Sequence, residues 1–229
     1  MCRDCSCGLP EAPPRRTVVL EAGLLARNDH QATHNRQRFE ALQLPVVNVL
    51  SAPGSGKTAL LEALSRRWNG RVGVIVGDLA TDNDARRLRE AGADAVQITT
   101  GQVCHLEASM VERAFQQLDP ASLDLLLIEN VGNLVCPAAF DLGEGRRLVL
   151  MAAGEGEDKP LKYPALFKSA DAIVITKIDL AAAVAFEREQ ALANLAQVAP
   201  QARIFEVSAR TGEGLEALMT WLGADPSRG

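Results

Sequence analysis

Val46–Leu64 reads VVNVLSAPGSGKTALLEAL: an apolar run, a loop with glycines, then leucines at helical spacing. Val46, Val47, Val49 and Leu50 suit a buried strand, and Leu60, Leu61 and Leu64 recur as on one face of a helix. Between them Gly54 and Gly56, on either side of Ser55, let the backbone turn its N–H groups inward. Lys57, Thr58 and Ala59 then open the helix. A polyphosphate placed there meets converging amides and the positive end of a helix. Lys57 adds a point charge for the outer phosphates, and the Thr58 hydroxyl offers a ligand to Mg²⁺. The stretch satisfies G-x-x-x-x-G-K-[ST] through Gly56, Lys57 and Thr58, with Ser51 where the pattern has its first glycine.

At 229 residues the chain is long enough for one well-packed α/β domain with appendages. A formal net charge of −5 gives no electrostatic reason to expect nucleic acid or an anionic membrane as partner. No apolar run approaches the roughly 18 residues of a membrane span, and the first residues lack an apolar signal core, so the expected compartment is the cytoplasm. In that setting the five cysteines are expected as thiols or metal ligands and not as disulfides.

Four segments are expected. Residues 1–16, with three cysteines and three prolines, read as a flexible tail. Cys2, Cys5 and Cys7 form C-x-x-C-x-C there, a spacing that lets thiolates wrap one soft or borderline metal ion. Residues 17–44 read as an N-terminal helical segment with Leu20, Leu24, Leu25, Phe39 and Leu42 as its apolar face. His30 and His34 share a face of it, but no carboxylate or thiol is fixed nearby in sequence, so they read as solvated histidines. Residues 45–223 form the nucleotide-binding domain, and 224–229 a C-terminal tail.

Within the domain, strands are expected at Val72–Val76, Ala95–Ile98, Leu123–Ile128, Leu148–Ala152, Ala172–Thr176 and Ile204–Val207. Helices are expected at Arg86–Ala91, Leu106–Leu118, Leu192–Val198 and Gly214–Leu222, and Gly154–Pro164 reads as a charged loop. Carboxylates just beyond a strand's C-terminal end lie on the edge where open α/β sheets bind ligands. Asp78 there can reach Mg²⁺ or orient an attacking water, while Asp82 and Asp84 serve either the ligand or a helix cap. Glu129, ending an unbroken apolar run, has the makings of a Walker B acid, and Gly132 lets the backbone approach a γ-phosphate.

Cys104, His105 and Cys136 all follow strands, at the same expected edge as the phosphate loop. They form an incomplete tetrahedral set for Zn²⁺ or part of a thiolate-rich Ni²⁺ site, which a two-fold dimer would double. Farther on, Thr176-Lys177-Ile178-Asp179 is similar to the guanine-reading N-K-x-D, with Thr176 in place of Asn, and Ser208-Ala209-Arg210 to S-A-[KR]. The Asp179 carboxylate can accept both guanine N1–H and N2–H, a donor pair adenine lacks. The Lys177 stem can lie over the base, and the Ala209 amide can serve its O6.

Together these marks resemble the HypB family of nickel-incorporation GTPases, metallochaperones among the SIMIBI-class P-loop GTPases that also include UreG. The marks are Cys2-x-x-Cys5-x-Cys7, SAPGSGKT, GDLATDNDARR from Gly77, Cys104-His105-Leu106, ENVGNLVCPAAFDLGE from Glu129, EGEDKPLKYP from Glu155, TKID and SARTGEGL. The resemblance implies a mostly parallel P-loop NTPase sheet flanked by helices. It implies hydrolysis of GTP to GDP with Mg²⁺, catalytic roles for Lys57, Asp78 and Glu129, and Mg²⁺ held at or behind Thr58, Asp78 and Glu129; with no arginine finger identifiable in the sequence, slow intrinsic turnover is expected. It further implies nucleotide-promoted homodimers, Ni²⁺ or Zn²⁺ at Cys104, His105 and Cys136, and a second nickel site at Cys2, Cys5 and Cys7. The implied partners are a HypA-type nickel/zinc accessory protein, the large-subunit precursor of a NiFe hydrogenase and, for some members, a nickel-binding prolyl isomerase. A urease-type nickel GTPase and a non-catalytic nickel or zinc storage or sensing protein are the alternatives.

Overall fold

The computed structural model describes residues 15–78, 82–101 and 103–223. Cys2, Cys5, Cys7 and the segment 224–229 lie outside them. In chain order the elements are α1 (Arg15–Ala41), β1 (Val46–Ser51), α2 (Lys57–Ser65), β2 (Val72–Asp78), α3 (Asn83–Glu90), β3 (Asp94–Thr99), α4 (Ala108–Phe115), β4 (Leu125–Glu129) and β5 (Arg146–Ala152). There follow α5 (Lys159–Lys162), α6 (Pro164–Lys168), β6 (Ala172–Thr176), α7 (Arg188–Val198), β7 (Arg203–Val207) and α8 (Leu215–Gly223).

The strands form one seven-stranded sheet in the order β3-β2-β4-β1-β5-β6-β7. Every neighbouring pair is parallel. A parallel sheet is covered on both faces, so its central strands are apolar throughout and not alternating. Val47, Val49, Leu125, Leu127, Leu148 and Leu150 pack on the face that carries α2 and α8. Leu126 and Ile128 turn to the opposite face with α4 and Phe39 of α1, and Val149 and Met151 turn there toward α6 and α7.

Helix α1 is tied down by amides where apolar residues are sparse. Asn28 donates to Asp141 O and accepts from Ala108 N, and Asn35 donates to the carbonyls of Ala108 and Leu142. His30 and His34 are exposed, with ring centroids 6.1 Å apart.

Three expectations change. Leu24 and Leu42, expected on the apolar face of the N-terminal helical segment, are exposed, while Phe39 is buried, because the amide contacts rather than a continuous apolar stripe hold α1. Leu106 lies ahead of α4, because its N–H donates to the Asn130 side chain and not along a helix. The stretch 154–164 is not plain loop. It holds a 3₁₀ turn at Ala153–Glu155 and the single-turn α5. The i,i+4 pairs Lys159–Glu155 at 2.6 Å and Lys162–Asp158 at 2.7 Å favour helical geometry there.

Candidate functional site

All parallel strands end on one edge, so Ser51, Asp78, Glu129 and Thr176 close β1, β2, β4 and β6 side by side. From β1 the chain enters the phosphate loop. Gly54 and Gly56 have φ of 77° and 92°, in the left-handed region that a side chain disfavours, and Gly56 caps α2.

Side chains from the other strand ends hold this loop. Ser55 Oγ donates to Glu155 Oε1 at 2.6 Å, and Thr176 Oγ1 donates to Ser55 O at 2.6 Å. Lys177, itself at φ 58°, donates from Nζ to Gly54 O at 2.7 Å. Lys57 is 8% exposed and donates to the Ser51 hydroxyl at 3.0 Å. Ser51, at the motif's first-glycine position, thus contributes a hydroxyl to Lys57. Burial lowers the Lys57 pKa, which the charges of Glu129, Asp84, Glu155 and Asp78 oppose.

A cavity of about 410 Å³ lies against the loop, lined among others by Lys57, Thr58, Asp78, Asp84, Arg87 and Glu129. Glu129 is 4% exposed and accepts from the Thr58 hydroxyl at 2.8 Å through Oε1, while its buried Oε2 has no hydrogen-bond partner among the described residues. Burial pushes the Glu129 carboxyl up to about 7 against Lys57 and Thr58, which pull it down. A hydroxyl beside an unsatisfied buried carboxylate oxygen is a donor set that fits a hard cation such as Mg²⁺. Asp82 occupies the N-cap position of α3 without a capping bond, and Asp84 accepts from Arg87 Nη1 at 3.3 Å. Arg87 is also paired with Glu62 at 2.8 Å.

Across Gly56 and Ala59 a second cavity of about 220 Å³ is lined by Thr176, Lys177, Asp179, Ala209 and Arg210. Ser208 donates from Oγ to Asp179 Oδ1 at 2.7 Å, fixing that carboxylate at the cavity wall. The two cavities share Gly56 and Ala59, so a nucleotide can run from one to the other with its phosphates at the α2 N-terminus.

On the same edge the ligand atoms of Cys104, His105 and Cys136 all lie within 4.8 Å of one another. The three come from two loops, one ahead of α4 and one after β4, where Cys136 opens the 3₁₀ turn Cys136–Ala139. His105 stacks on Phe140 with centroids 3.8 Å apart. Burial lowers the pKa of His105, which keeps the imidazole neutral as a ligand requires. Contact with Cys104 and burial raise the Cys136 thiol. Two thiolates with one imidazole suit Zn²⁺ or Ni²⁺ and leave a coordination position open.

Ser51, Glu155, Arg87 and Asn130 lie within the quoted stretches, but their contacts are not legible there. Thr176 is marked only as a departure from Asn, yet it tethers the phosphate loop. A polar side chain beside a motif residue is the one cue for them.

The model of the CobW/HypB/UreG nucleotide-binding domain matches residues 45–206. A hydrogenase maturation factor HypB from Azotobacter chroococcum is 48% identical over 217 residues, covering 93% of this chain and 70% of the relative. A hydrogenase/urease maturation factor HypB from Helicobacter pylori is 42% identical over 212 residues, covering 91% and 88%. A crystal structure of HypB from Helicobacter pylori in complex with nickel superposes with a TM-score of 0.83 at 43% identity, covering 86% of this chain and 93% of that one. The chain belongs to the CobW/HypB/UreG family of P-loop GTPases, on its HypB hydrogenase-maturation branch.

Proposed function

We propose that this chain is a GTP-hydrolysing nickel metallochaperone. Its nucleotide state governs metal affinity at Cys104, His105 and Cys136 and so supports nickel insertion into the large subunit of a NiFe hydrogenase. The observation that carries this reading is the shared edge: β4 ends in Glu129 at the phosphate cavity, and the same loop continues to Cys136 at the thiol cluster.

The phosphate loop amides and Lys57 hold the β- and γ-phosphates, and Asp179, Ser208 and Ala209 select guanine. Thr58, Asp78 and Glu129 would hold Mg²⁺, directly or through water. When bound, Mg²⁺ neutralises charge on the phosphate oxygens. Asp78 and Glu129 orient the attacking water. Arg87, already paired with Glu62 and Asp84, is a poor free cation for the transition state, which fits slow turnover.

Ni²⁺ or Zn²⁺ is cargo at the cysteine–histidine cluster, and Cys2, Cys5 and Cys7 form a second nickel site. Exposed Val135, 65% exposed beside Cys136, suits a contact with a second copy of the chain. The setting is the cytoplasm, and the partners are a HypA-type accessory protein and the hydrogenase large-subunit precursor. A urease-directed role is the second reading, favoured by the relative named for both enzymes.

The test is GTP hydrolysis by the parent and Lys57→Ala, with Ni²⁺ titrations in the GDP- and GTP-analogue-bound forms. We expect K57A to lose hydrolysis and nickel affinity to differ between the two nucleotide forms. Equal rates overturn the enzymatic reading, and identical affinities overturn the coupling.

A further inference from the structure

Between the phosphate cavity and the thiol cluster runs a chain of buried polar side chains, of which only Asn130 borders the cavity. It begins at Asn130, the residue after Glu129, whose backbone N–H continues the β1–β4 ladder to Val49 O at 3.1 Å. The Asn130 side-chain oxygen accepts from Val131 N at 2.9 Å and from Leu106 N at 3.3 Å. Its amide donates to Asn48 Oδ1 at 3.2 Å, and the Asn48 amide donates to Glu144 Oε1 at 3.1 Å. Arg147 reaches the same oxygen from the other side, Nε to Oε1 at 2.7 Å, and its two terminal nitrogens donate to Ala138 O and Phe140 O, each at 3.1 Å. Asn130 and Asn48 are fully buried, and Glu144 is 7% exposed.

The ends of this chain are the two loops of the metal cluster. Leu106 directly follows Cys104 and His105. Ala138 belongs to the turn that Cys136 opens, and Phe140 is the ring against which His105 stacks.

The polarity of the chain is fixed. A carboxylate only accepts and a guanidinium only donates, so both asparagines have one orientation that satisfies every partner. Asn130 also borders the phosphate cavity, as does Gly132, which packs so closely on the phosphate loop that an added Cβ would stand 3.1 Å from Pro53 Cα and N.

We propose that Asn130, Asn48, Glu144 and Arg147 form a brace that sets the two halves of the Cys104–His105–Cys136 site against each other, with Asn130 the positioning residue that passes nucleotide state to the thiols. This rests on the nucleotide-coupled metal reading above. A shift of the Val131–Gly132 segment against a γ-phosphate rotates the Asn130 amide, and Leu106 with the adjacent His105 must follow. Outer hydrogen bonds that orient metal ligands are worth about 10–100-fold in metal affinity; the brace acts one step removed, through Leu106 N and the Ala138 and Phe140 carbonyls, so its effect falls at the low end of that range.

Two variants test it in the full chain, with Cys2, Cys5 and Cys7 changed to serine so that only the second cluster reports. Asn130→Asp replaces the donor toward Asn48 with an acceptor of the same shape. Arg147→Lys keeps a charge on Glu144 but removes the fork to Ala138 and Phe140. The readouts are the sulfur-to-nickel charge-transfer band and the nickel affinity, each with GDP and with a non-hydrolysable GTP analogue.

We expect nickel affinity to fall about tenfold in both variants, and its ratio between the two nucleotide forms to approach one. Parent-like affinity and ratio in either folded variant overturn the brace. Weaker binding with the parent's ratio intact overturns the coupling role and leaves a structural one. If the parent itself shows no nickel band at this cluster, the metallochaperone reading fails instead, and the brace fails with it.

Discussion

Glu129→Gln should make the nucleotide-free protein gain stability relative to the parent as pH rises. Burial holds the Glu129 carboxyl at about 7 against 4.5 for an unburied glutamate, so the folded state keeps a proton that the unfolded chain has lost. Below 4.5 both states are protonated and the group contributes no difference. Between 4.5 and 7 the unfolded chain alone ionises and stability falls as pH rises, and above 7 the loss levels off at about 3 kcal/mol. Glutamine keeps the acceptor for Thr58, which donates at 2.8 Å, but cannot ionise. Its amide nitrogen takes the place of the unpartnered Oε2, at a cost of about 1–3 kcal/mol that does not vary with pH. The slope is therefore the signal and the offset is not. From pH 5 to pH 8 the stability of E129Q relative to the parent should rise by about 2.5 kcal/mol. Urea unfolding of both proteins, free of nucleotide and divalent metal, measures it; titrations of groups remote from Glu129 cancel in the difference, whereas Lys57, whose charged form Glu129 supports, is followed with the Lys57→Met background. A difference that is flat over that range refutes the claim that Glu129 is buried at a desolvation penalty, and with it the cation-seeking carboxylate in the site.

Thr176→Val removes a buried bond of 2.6 Å to Ser55 O, and should lower stability by about 1–2 kcal/mol and weaken GTP binding; unchanged GTP affinity would show the tether to be dispensable. Gly214→Ala brings a Cβ within 1.9 Å of Glu206 O at φ +72°, and should destabilise by about 2 kcal/mol or more. Gly92→Ala, at φ +95° with nothing within 4 Å, should cost only about 1–2 kcal/mol of backbone strain. Parallel denaturation curves of the two alanine variants separate collision from strain.

Strand, loop and helix around Gly54–Thr58 were legible because three independent patterns coincide there, and the strand-end acids followed from parallel topology. Cys104, His105 and Cys136 were legible as a set for the same reason, each placed just past a strand. What stayed hidden is pairing across strands. Asn48 meets Asn130 because β1 neighbours β4, and Glu144 because the segment leading into β5 lies on the other side of β1. Sheet order decides those partners, and periodicity does not report it. Ser51 was hidden for another reason: as a deviation from glycine it reads as a missing feature, while its hydroxyl is what Lys57 binds. The stretch 154–164 misread as loop because charges and prolines outweigh pattern in so short a helix.

Distance sets how tightly nucleotide and metal can be linked. From Glu129 to Cys136 the chain reaches about 25 Å even if fully extended. Here its path is bent, held at Asn130 N by Val49 O and at Ala138 and Phe140 by Arg147. Between those anchors, Gly132 lies against Pro53 of the phosphate loop. A displacement that begins at Gly132 meets its nearest fixed points at Asn130, two residues before it, and at Ala138, six residues after it. Packed interiors respond to such a push by switching arrangement and not by yielding gradually. The coupling then needs no long pathway through the domain. It needs the β4 loop to carry a γ-phosphate sensor and a thiol within one short, doubly anchored segment, and β4 sits beside β1 so that both meet the phosphate loop.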